Sequence, residues 1–200
     1  MQSAEIELKF PVTNLVALHD RLLACGFHLD TPRTFEQNTL FDTADRALRM
    51  AGQLLRLRQY GDRYTVTHKR HPEHEDGSET RYKIRIETET EVTEGPAMEE
   101  IFFQLGYAPT FRYEKFRTEW SHPKQPGAHL VVDETPIGNY AELEGPTGWI
   151  DSTLSELAVD PATCLTESYG KLFLQWKQRT GSPATDLTWT QIPEDELIAR

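Results

Sequence analysis

The amino-acid sequence predicts an α+β protein built around a closed antiparallel β-barrel with a charged, water-filled interior. In the stretch Glu5-Ile6-Glu7-Leu8-Lys9, alternation puts charged side chains on one face of a strand and apolar ones on the other. The same alternation returns at residues 54–58, 83–89 and 141–144. So many strands with one charged and one apolar face favour a barrel with a wet lumen and helices over its outer face.

The composition is that of one globular domain with room for a sizeable core. The chain has 200 residues, of which 38% are hydrophobic and 26% charged, and it contains no apolar run long enough to span a bilayer. The N-terminus leads directly into a charged strand rather than a secretory signal, so we expect a soluble cytoplasmic protein with no membrane partner. Cys25 and Cys164 lack metal-ligand spacing and are expected to be buried thiols.

The net charge limits the class of partner. The chain carries 32 acidic against 21 basic side chains, a formal charge of -11. A nucleic-acid backbone would be repelled by most of such a surface, so no nucleic-acid partner is expected. A small anion is compatible with this charge if the basic residues are concentrated inside a cavity.

Strands and amphipathic helices follow one another along the chain. An apolar stripe from Val12 to Leu23, ended by Gly26, predicts a helix over the barrel wall. Gly61-Asp62 between two alternating runs predicts a hairpin. The predicted strands are residues 3–10, 34–42, 53–60, 63–70, 80–92, 110–121, 128–134 and 139–144, with a turn at Thr31-Pro32 before the second. Further helices are predicted up to Met50, from Glu94 to Leu105, and after Gly145.

Two polar segments are expected to lie outside the regular elements. His71 to Glu79 contains Pro72 and Gly77 and predicts a mobile loop at the mouth of the barrel. Residues 181–200 have few apolar positions, so we expect a loosely docked tail after a domain that covers residues 1–180.

The order of the charged motifs carries a family resemblance. The sequence has Glu-x-Glu-x-Lys at 5–9, Leu-Arg-Leu-Arg at 55–58, Lys-Ile-Arg-Ile-Glu-Thr-Glu at 83–89, Lys-Phe-Arg at 115–117 and Glu-Leu-Glu at 142–144. Together these motifs resemble the CYTH family of triphosphate tunnel metalloenzymes, from about Glu5 to about Trp176. The family includes inorganic triphosphatases, thiamine triphosphatases and class IV adenylyl cyclases.

The resemblance implies an eight-stranded antiparallel tunnel that binds a triphosphate through basic residues and a divalent metal, Mg²⁺ or Mn²⁺, through acidic ones. It makes Glu5, Glu7 and Glu144 the expected ligands of the first metal ion. Glu87, Glu89, Asp133 and Glu142 are expected to serve a second ion or a nucleophilic water. The alternation adds the basic set, expected to bind the substrate's phosphates: Lys9, Arg56, Arg58, Lys69, Arg85, Lys115 and Arg117.

The predicted lumen has seven acids and seven bases, and this balance favours a metal–triphosphate complex over either ligand alone. Isolated buried charges are costly, and divalent cations nearly offset the charge of a triphosphate. Lys83, Glu91 and Glu119 continue the pattern at strand ends, where solvation is expected. Tyr169, in the run Ser168 to Leu172 that resembles the family's C-terminal helix, is expected to pack in the core near one end of the tunnel.

Three functions stay open on the sequence. The first is a metal-dependent hydrolase of inorganic triphosphate or a small organic triphosphate. The second is a class IV adenylyl cyclase that converts ATP to cyclic AMP in the same tunnel. The third is a module that binds phosphate-rich ligands without turnover, and the seven acids weigh against it because anion binding needs only bases. Either a monomer or a homodimer is compatible with the sequence.

Overall fold

The structure, a computed structural model, describes residues 2–72 and 81–192. Its strands are β1 (Gln2–Val12), β2 (His28–Asp42), β3 (Leu54–Tyr60), β4 (Arg63–Arg70), β5 (Lys83–Val92), β6 (Ala108–Ser121), β7 (His129–Thr135) and β8 (Gly138–Glu144). Its α-helices are α1 (Leu15–Ala24), α2 (Ala47–Met50), α3 (Gly95–Gln104), α4 (Thr147–Glu156) and α5 (Tyr169–Thr180), with a 3₁₀ turn at Pro161–Thr163.

The eight strands close into one barrel in the order β1-β5-β4-β3-β2-β6-β7-β8. Every neighbouring pair is antiparallel. The predicted α+β class and the closed eight-stranded antiparallel barrel are therefore confirmed. The hairpin between β3 and β4 turns at Gly61, whose φ of +60° is readily adopted by glycine.

Strand β1 closes the barrel by changing partner along its length. Residues Gln2 to Glu7 pair with β5, and residues Glu7 to Val12 pair with β8. Glu7 is the residue shared by both ladders, with Lys83 opposite it on one side and Glu144 on the other. The N-terminal charged motif thus lies where three strands meet.

Strand β2 is longer than the sequence predicted. It begins at His28 rather than residue 34, and the turn expected at Thr31-Pro32 is wrong. The ladder to β6 instead shifts register between Leu29 and Thr31 and again between Thr31 and Thr34. Such bulges let a strand continue past a proline that cannot donate a ladder hydrogen bond.

The hydrophobic core lies outside the barrel. Helices α1 and α4 pack on the outer faces of β1, β6, β7 and β8 around a fully buried cluster that includes Leu8, Leu22, Leu130, Leu143, Ile150 and Leu154. Helix α3 covers Phe41 and Leu57 through Phe102. Burying the apolar faces outward leaves the charged face of every strand to the interior.

Helix α5 and the segment after it pack over one end of the barrel. Leu187 and Ile192 are fully buried against Tyr113 and Trp176, and Leu187 exchanges backbone hydrogen bonds with β6. The expectation of a loosely docked tail is therefore wrong for residues 181–192, because Ala184, Leu187 and Ile192 are buried in one cluster with α5.

Two of the predicted segments extend beyond the described residues. The loop predicted for residues 71–79 and the last part of the predicted tail include residues 73–80 and 193–200, which the structure does not describe. Within the described ranges, no helix combines the length and the apolarity that crossing a membrane requires.

Candidate active site

The barrel encloses a cavity of about 520 Å³. Its described wall carries seven acidic and seven basic residues, so the balance expected from the sequence is kept although two members differ. The acids are Glu5, Glu7, Glu87, Glu89, Glu91, Glu142 and Glu144, and the bases are Lys9, Arg56, Arg58, Lys69, Lys83, Lys115 and Arg117. All of the expected metal ligands are in this set.

Two residues that the sequence placed at solvated strand ends belong to the wall instead. Lys83 and Glu91 both line the cavity, and Lys83 forms an ion pair with Glu7. The third such residue, Glu119, accepts a hydrogen bond of 2.7 Å from Thr31 Oγ1. Lys83 reaches the lumen because it lies directly opposite Glu7 in the β1–β5 ladder.

Two expected site residues are not among the described residues that line the cavity. Arg85 donates a hydrogen bond of 3.0 Å to the backbone oxygen of Gly52. Asp133 is fully buried, and neither residue is among the described residues that line the cavity. A contact between either side chain and a ligand in the cavity is therefore not shown by the structure.

Strand register places acids opposite bases around most of the barrel. Lys9 faces Glu142, Lys69 faces Glu87 and Arg117 faces Asp133 in the ladders. The charged atoms meet, with Lys69 Nζ 3.0 Å from a Glu87 oxygen and 2.6 Å from a Glu5 oxygen. Cross-strand pairs of opposite charge stabilise a sheet, so much of the lumen is internally neutralised.

The exception is the pair Glu7 and Glu144. They are directly opposed in the β1–β8 ladder, and they are the one such pair of like charge among the ladder positions of the described strands. Burial, together with the negative charge of Glu5, raises the pKa of Glu144 to about 7. Like charges opposite each other destabilise a sheet, so a cation bound here would relieve the repulsion.

A second, buried network is centred on Asp133 of β7, the strand next to β8. Its carboxylate accepts hydrogen bonds of 2.9 Å from Lys115 Nζ, 2.7 Å from both Arg117 Nε and one terminal nitrogen, and 2.6 Å from the Tyr169 hydroxyl. Lys9 lies over the Tyr169 ring, 4.2 Å from its centroid. Tyr169 therefore lines the cavity and ties α5 to the network, besides packing as the sequence predicted.

Glu36 is a member of this network that the sequence reasoning missed. It is fully buried and lies 3.3 Å from Lys115. Burial alone would raise its pKa, but Lys115 and Arg117 outweigh that effect and lower the pKa of Glu36 to about 2. The available signal was the period of two in Thr34, Glu36 and Asn38, which gives β2 the same polar inner face as the other strands.

Each arginine of β3, Arg56 and Arg58, has one donor nitrogen without a hydrogen-bond partner among the described residues. Arg56 donates a 3.0 Å hydrogen bond to Thr67 Oγ1, and Thr67 in turn donates one of 2.7 Å to Glu89. The buried Nε atoms of Arg56 and Arg58 have no hydrogen-bond acceptor among the described residues. Both residues line the cavity, and a guanidinium group there suits the oxygens of an anion.

The donor set fits a hard divalent cation. Glu5 and Glu7 are two residues apart on one face of β1, and Glu144 is opposite Glu7, so three carboxylates lie at neighbouring strand positions. No group of three or more His, Cys, Asp or Glu side chains in the described ranges is already arranged to hold a metal ion. Glu5 and Glu7 are instead paired with Lys69 and Lys83.

Comparison with known proteins decides the family. The model of the CYTH domain matches residues 3–152. The chain belongs to the CYTH family. Members of this family are triphosphatases or adenylyl cyclases and generally depend on a divalent metal. No curated protein matches the chain.

Solved structures share this fold at low sequence identity. A candidate adenylate cyclase from Vibrio parahaemolyticus has a TM-score of 0.73 at 17% identity, over 85% of this chain and 97% of its own. The PH1819 protein of Pyrococcus horikoshii has a TM-score of 0.70 at 20% identity, over 86% and 99%. A candidate adenylyl cyclase from Hippeastrum, described as having a dominant triphosphatase activity, has a TM-score of 0.59 at 18% identity, over 88% and 96%.

Proposed function

We propose that this CYTH protein is a metal-dependent hydrolase that cleaves a phosphoanhydride bond of a small triphosphate, inorganic or organic, inside the barrel. The observation that carries the proposal is the opposed pair Glu7 and Glu144 in a cavity whose described wall also carries seven bases. The two opposed carboxylates suit a cation, and the bases suit the oxygens of a phosphate chain. We also propose that the enzyme is cytoplasmic. Its two cysteines, Cys25 and Cys164, are free thiols.

In this mechanism Glu5, Glu7 and Glu144 hold Mg²⁺ or Mn²⁺, which when bound withdraws charge from the phosphate oxygens. Lys9, Arg56, Arg58, Lys69, Lys115 and Arg117 bind those oxygens and offset the charge that develops as the bond to the leaving group breaks. Glu87 and Glu89 line the cavity and orient the attacking water. Arg85 stays in the proposed set only as a residue that supports the wall, through Gly52.

Asp133 and Glu142 are assigned to positioning in this proposal. Asp133 is buried behind Lys115 and Arg117, and Glu142 is paired with Lys9 and with Arg117, the latter at 2.9 Å. Carboxylates with these partners fix the basic side chains in one geometry before the substrate arrives. Because Asp133 and Glu142 already accept hydrogen bonds from these bases, Glu87 and Glu89 are the carboxylates proposed to orient the water.

Adenylyl cyclase activity is the second candidate, because two of the structural relatives are described as candidate adenylyl cyclases. A cyclase would use the same phosphate and metal residues and would need the 3′-hydroxyl of ATP, rather than water, as the attacking group. The product distinguishes the two activities directly.

The test is a panel of tripolyphosphate, thiamine triphosphate and ATP, each assayed with Mg²⁺ and with Mn²⁺. We expect phosphate release that chelation abolishes, and little cyclic AMP. Cyclic AMP as the main product of ATP would replace the hydrolase by the cyclase. Tight binding of tripolyphosphate without any product would leave a binding module and overturn both.

The basic wall has its own test in Arg56→Ala. We expect the KM for the turned-over triphosphate to rise about tenfold, because one guanidinium contact to a phosphate is lost. Arg63→Ala, on the exposed end of the same hairpin, is the control and should keep the original KM. An unchanged KM in Arg56→Ala would remove Arg56 from the site.

A further inference from the structure

Strand β2 lies between β3 and β6, the two strands that each carry two bases of the cavity wall. These bases are Arg56 and Arg58 on β3, and Lys115 and Arg117 on β6. Glu36 of β2 is opposite Tyr60 of β3 and Lys115 of β6 in the two ladders. It is fully buried and is not among the described residues that line the cavity. Its effect on a ligand must therefore act through the neighbouring bases.

The Glu36 carboxylate is paired with the bases of β6 through both of its oxygens. Its Oε1 atom lies 3.3 Å from Lys115 Nζ, and its Oε2 atom lies 3.9 Å from Arg117 Nε. The Asp133 carboxylate lies 2.9 Å from the same Lys115 nitrogen. A lysine ammonium carries three donors, so these two acids restrain Lys115 and still leave a donor for a phosphate oxygen in the cavity that Lys115 lines.

The Glu36 carboxylate is itself held in place by a neighbour on its own strand. Asn38 Nδ2 donates a hydrogen bond of 2.8 Å to Glu36 Oε1, and Asn38 is also fully buried. The amide donor is neutral, so it orients the carboxylate without cancelling its charge. The position of Glu36 is therefore fixed independently of the bases.

The charge of Glu36 acts on the bases of both neighbouring strands. Burial raises the pKa of this carboxyl, and the bases that outweigh burial and lower the pKa to about 2 are, in order of effect, Lys115, Arg117, Arg58 and Arg56. By comparison, Glu89 is paired with the two arginines of β3, and Glu142 is paired with Lys9 and Arg117. Glu36 thus connects two groups of bases that these other acids contact separately.

We propose that Glu36 is a positioning residue, which fixes the bases of β3 and β6 relative to each other and limits how tightly they bind the phosphate chain before its bond breaks. The inference rests on the proposed function and adds a residue to its machinery. A limit on ground-state binding raises turnover, because only interactions that are stronger in the transition state accelerate the reaction. Fixed positions matter because a displacement of about 1 Å can cost about a hundredfold in rate.

Glu36→Gln tests the charge, because it keeps the size of the side chain and removes the negative charge. Lys115 and Arg117 should then attract phosphate more strongly while being held less firmly. We expect the Kd for tripolyphosphate to fall about threefold and kcat to fall about tenfold. Calorimetric titration in metal-free buffer measures the Kd, and steady-state phosphate release with Mg²⁺ measures kcat. Loss of folded protein alone would not tighten binding.

Glu36→Asp tests the position, because it keeps the charge and withdraws the carboxylate by one methylene group. We expect an unchanged Kd for tripolyphosphate and a kcat that falls about threefold. Since this variant keeps the counter-charge of the buried bases, it also remains the test if Glu36→Gln does not fold.

Glu134→Gln is the matched control for loss of one carboxylate from the same barrel. Glu134 lies on β7, is paired with the exposed Arg33 at 2.7 Å, and is not among the described lining residues of the cavity. We expect its Kd and kcat to equal those of the wild type.

Unchanged constants in Glu36→Gln would overturn the inference and leave the hydrolase intact if the wild type turns over a triphosphate. Weaker binding of tripolyphosphate by Glu36→Gln would also overturn it. So would a loss of kcat that only matches a loss of binding sites in the titration, since that result describes a merely structural role. If the wild type binds tripolyphosphate but turns over no triphosphate, the hydrolase fails. In that case tighter binding by Glu36→Gln still supports the restraint on the bases, and an unchanged Kd overturns it.

Discussion

Two carboxylates on the inner wall of the same barrel, Glu36 and Glu144, are shifted in opposite directions. Lys115 and Arg117 overcome the effect of burial and lower the pKa of Glu36 to about 2. Burial and the charge of Glu5 raise the pKa of Glu144 to about 7. The first carboxylate lies in a network that already contains its counter-charges, and the second lies opposite another acid.

The difference separates the part of the lumen whose charges are paired within the protein from the part that is proposed to bind a cation. Around Asp133, each described charge has a partner within the protein, so this side sets the geometry of the bases. Around Glu7 and Glu144, the protein's own lysines offset only part of the acidic charge. We therefore expect substitutions on the two sides to affect different measurements.

The largest effect is expected for Glu144→Gln. Removing this carboxylate takes away one of the three proposed metal ligands, so turnover should fall by about a hundredfold or more at any fixed Mg²⁺ concentration. Unfolding in metal-free buffer should be no easier than for the wild type, because a like-charge repulsion is also removed. Steady-state phosphate release and urea unfolding measure the two quantities.

Glu91→Gln is the matched control for this change. Glu91 also lines the cavity, but it faces Thr65 across the sheet rather than another acid. We expect activity within about twofold of the wild type. If the two variants lose activity equally, or if Glu144→Gln keeps it, the distinction between the two sides of the lumen is lost.

Asp133→Asn should reverse the pattern and act mainly on stability. It leaves Lys115 and Arg117 buried with less counter-charge, which costs about 3–5 kcal/mol of unfolding free energy. Tyr169→Phe removes one hydrogen bond from the same carboxylate and should cost about 1.5–3 kcal/mol. Urea unfolding of both variants in metal-free buffer checks the order; a smaller loss for Asp133→Asn than for Tyr169→Phe would contradict a network centred on Asp133.

The alternation of charge was enough to predict the barrel, the wet lumen and most of its wall, because side-chain direction in a strand depends only on parity. Parity could not give the depth of a residue along the tunnel. Arg85 and Lys83 share one face of β5, yet Lys83 lines the cavity, whereas Arg85 bonds to Gly52 and is not in the described lining.

Register was the second quantity that the sequence did not contain. Glu7 and Glu144 were both expected as metal ligands, but their direct opposition depends on how β1 pairs with β8. Glu36 is a different case, because it lay within the predicted strand 34–42 and the period of two in Thr34, Glu36 and Asn38 would have placed it inside the barrel. Long-range pairing between residues more than a hundred positions apart is set by packing rather than by local pattern.

The smallest effect expected is a pH dependence of stability carried by Glu36. A carboxylate whose pKa falls from 4.5 to about 2 on folding contributes stability above pH 4.5 that is lost as the pH falls toward 2. Its neighbours in the lumen are Lys115, Arg117, Arg58 and Arg56, all charged throughout this range. From pH 6 to pH 3 the unfolding free energy of the wild type should fall by about 2 kcal/mol more than that of Glu36→Gln, which has no carboxylate to titrate at this position. Urea unfolding at both pH values measures the difference, and parallel pH profiles for the two proteins would show that the basic wall does not hold Glu36 ionised.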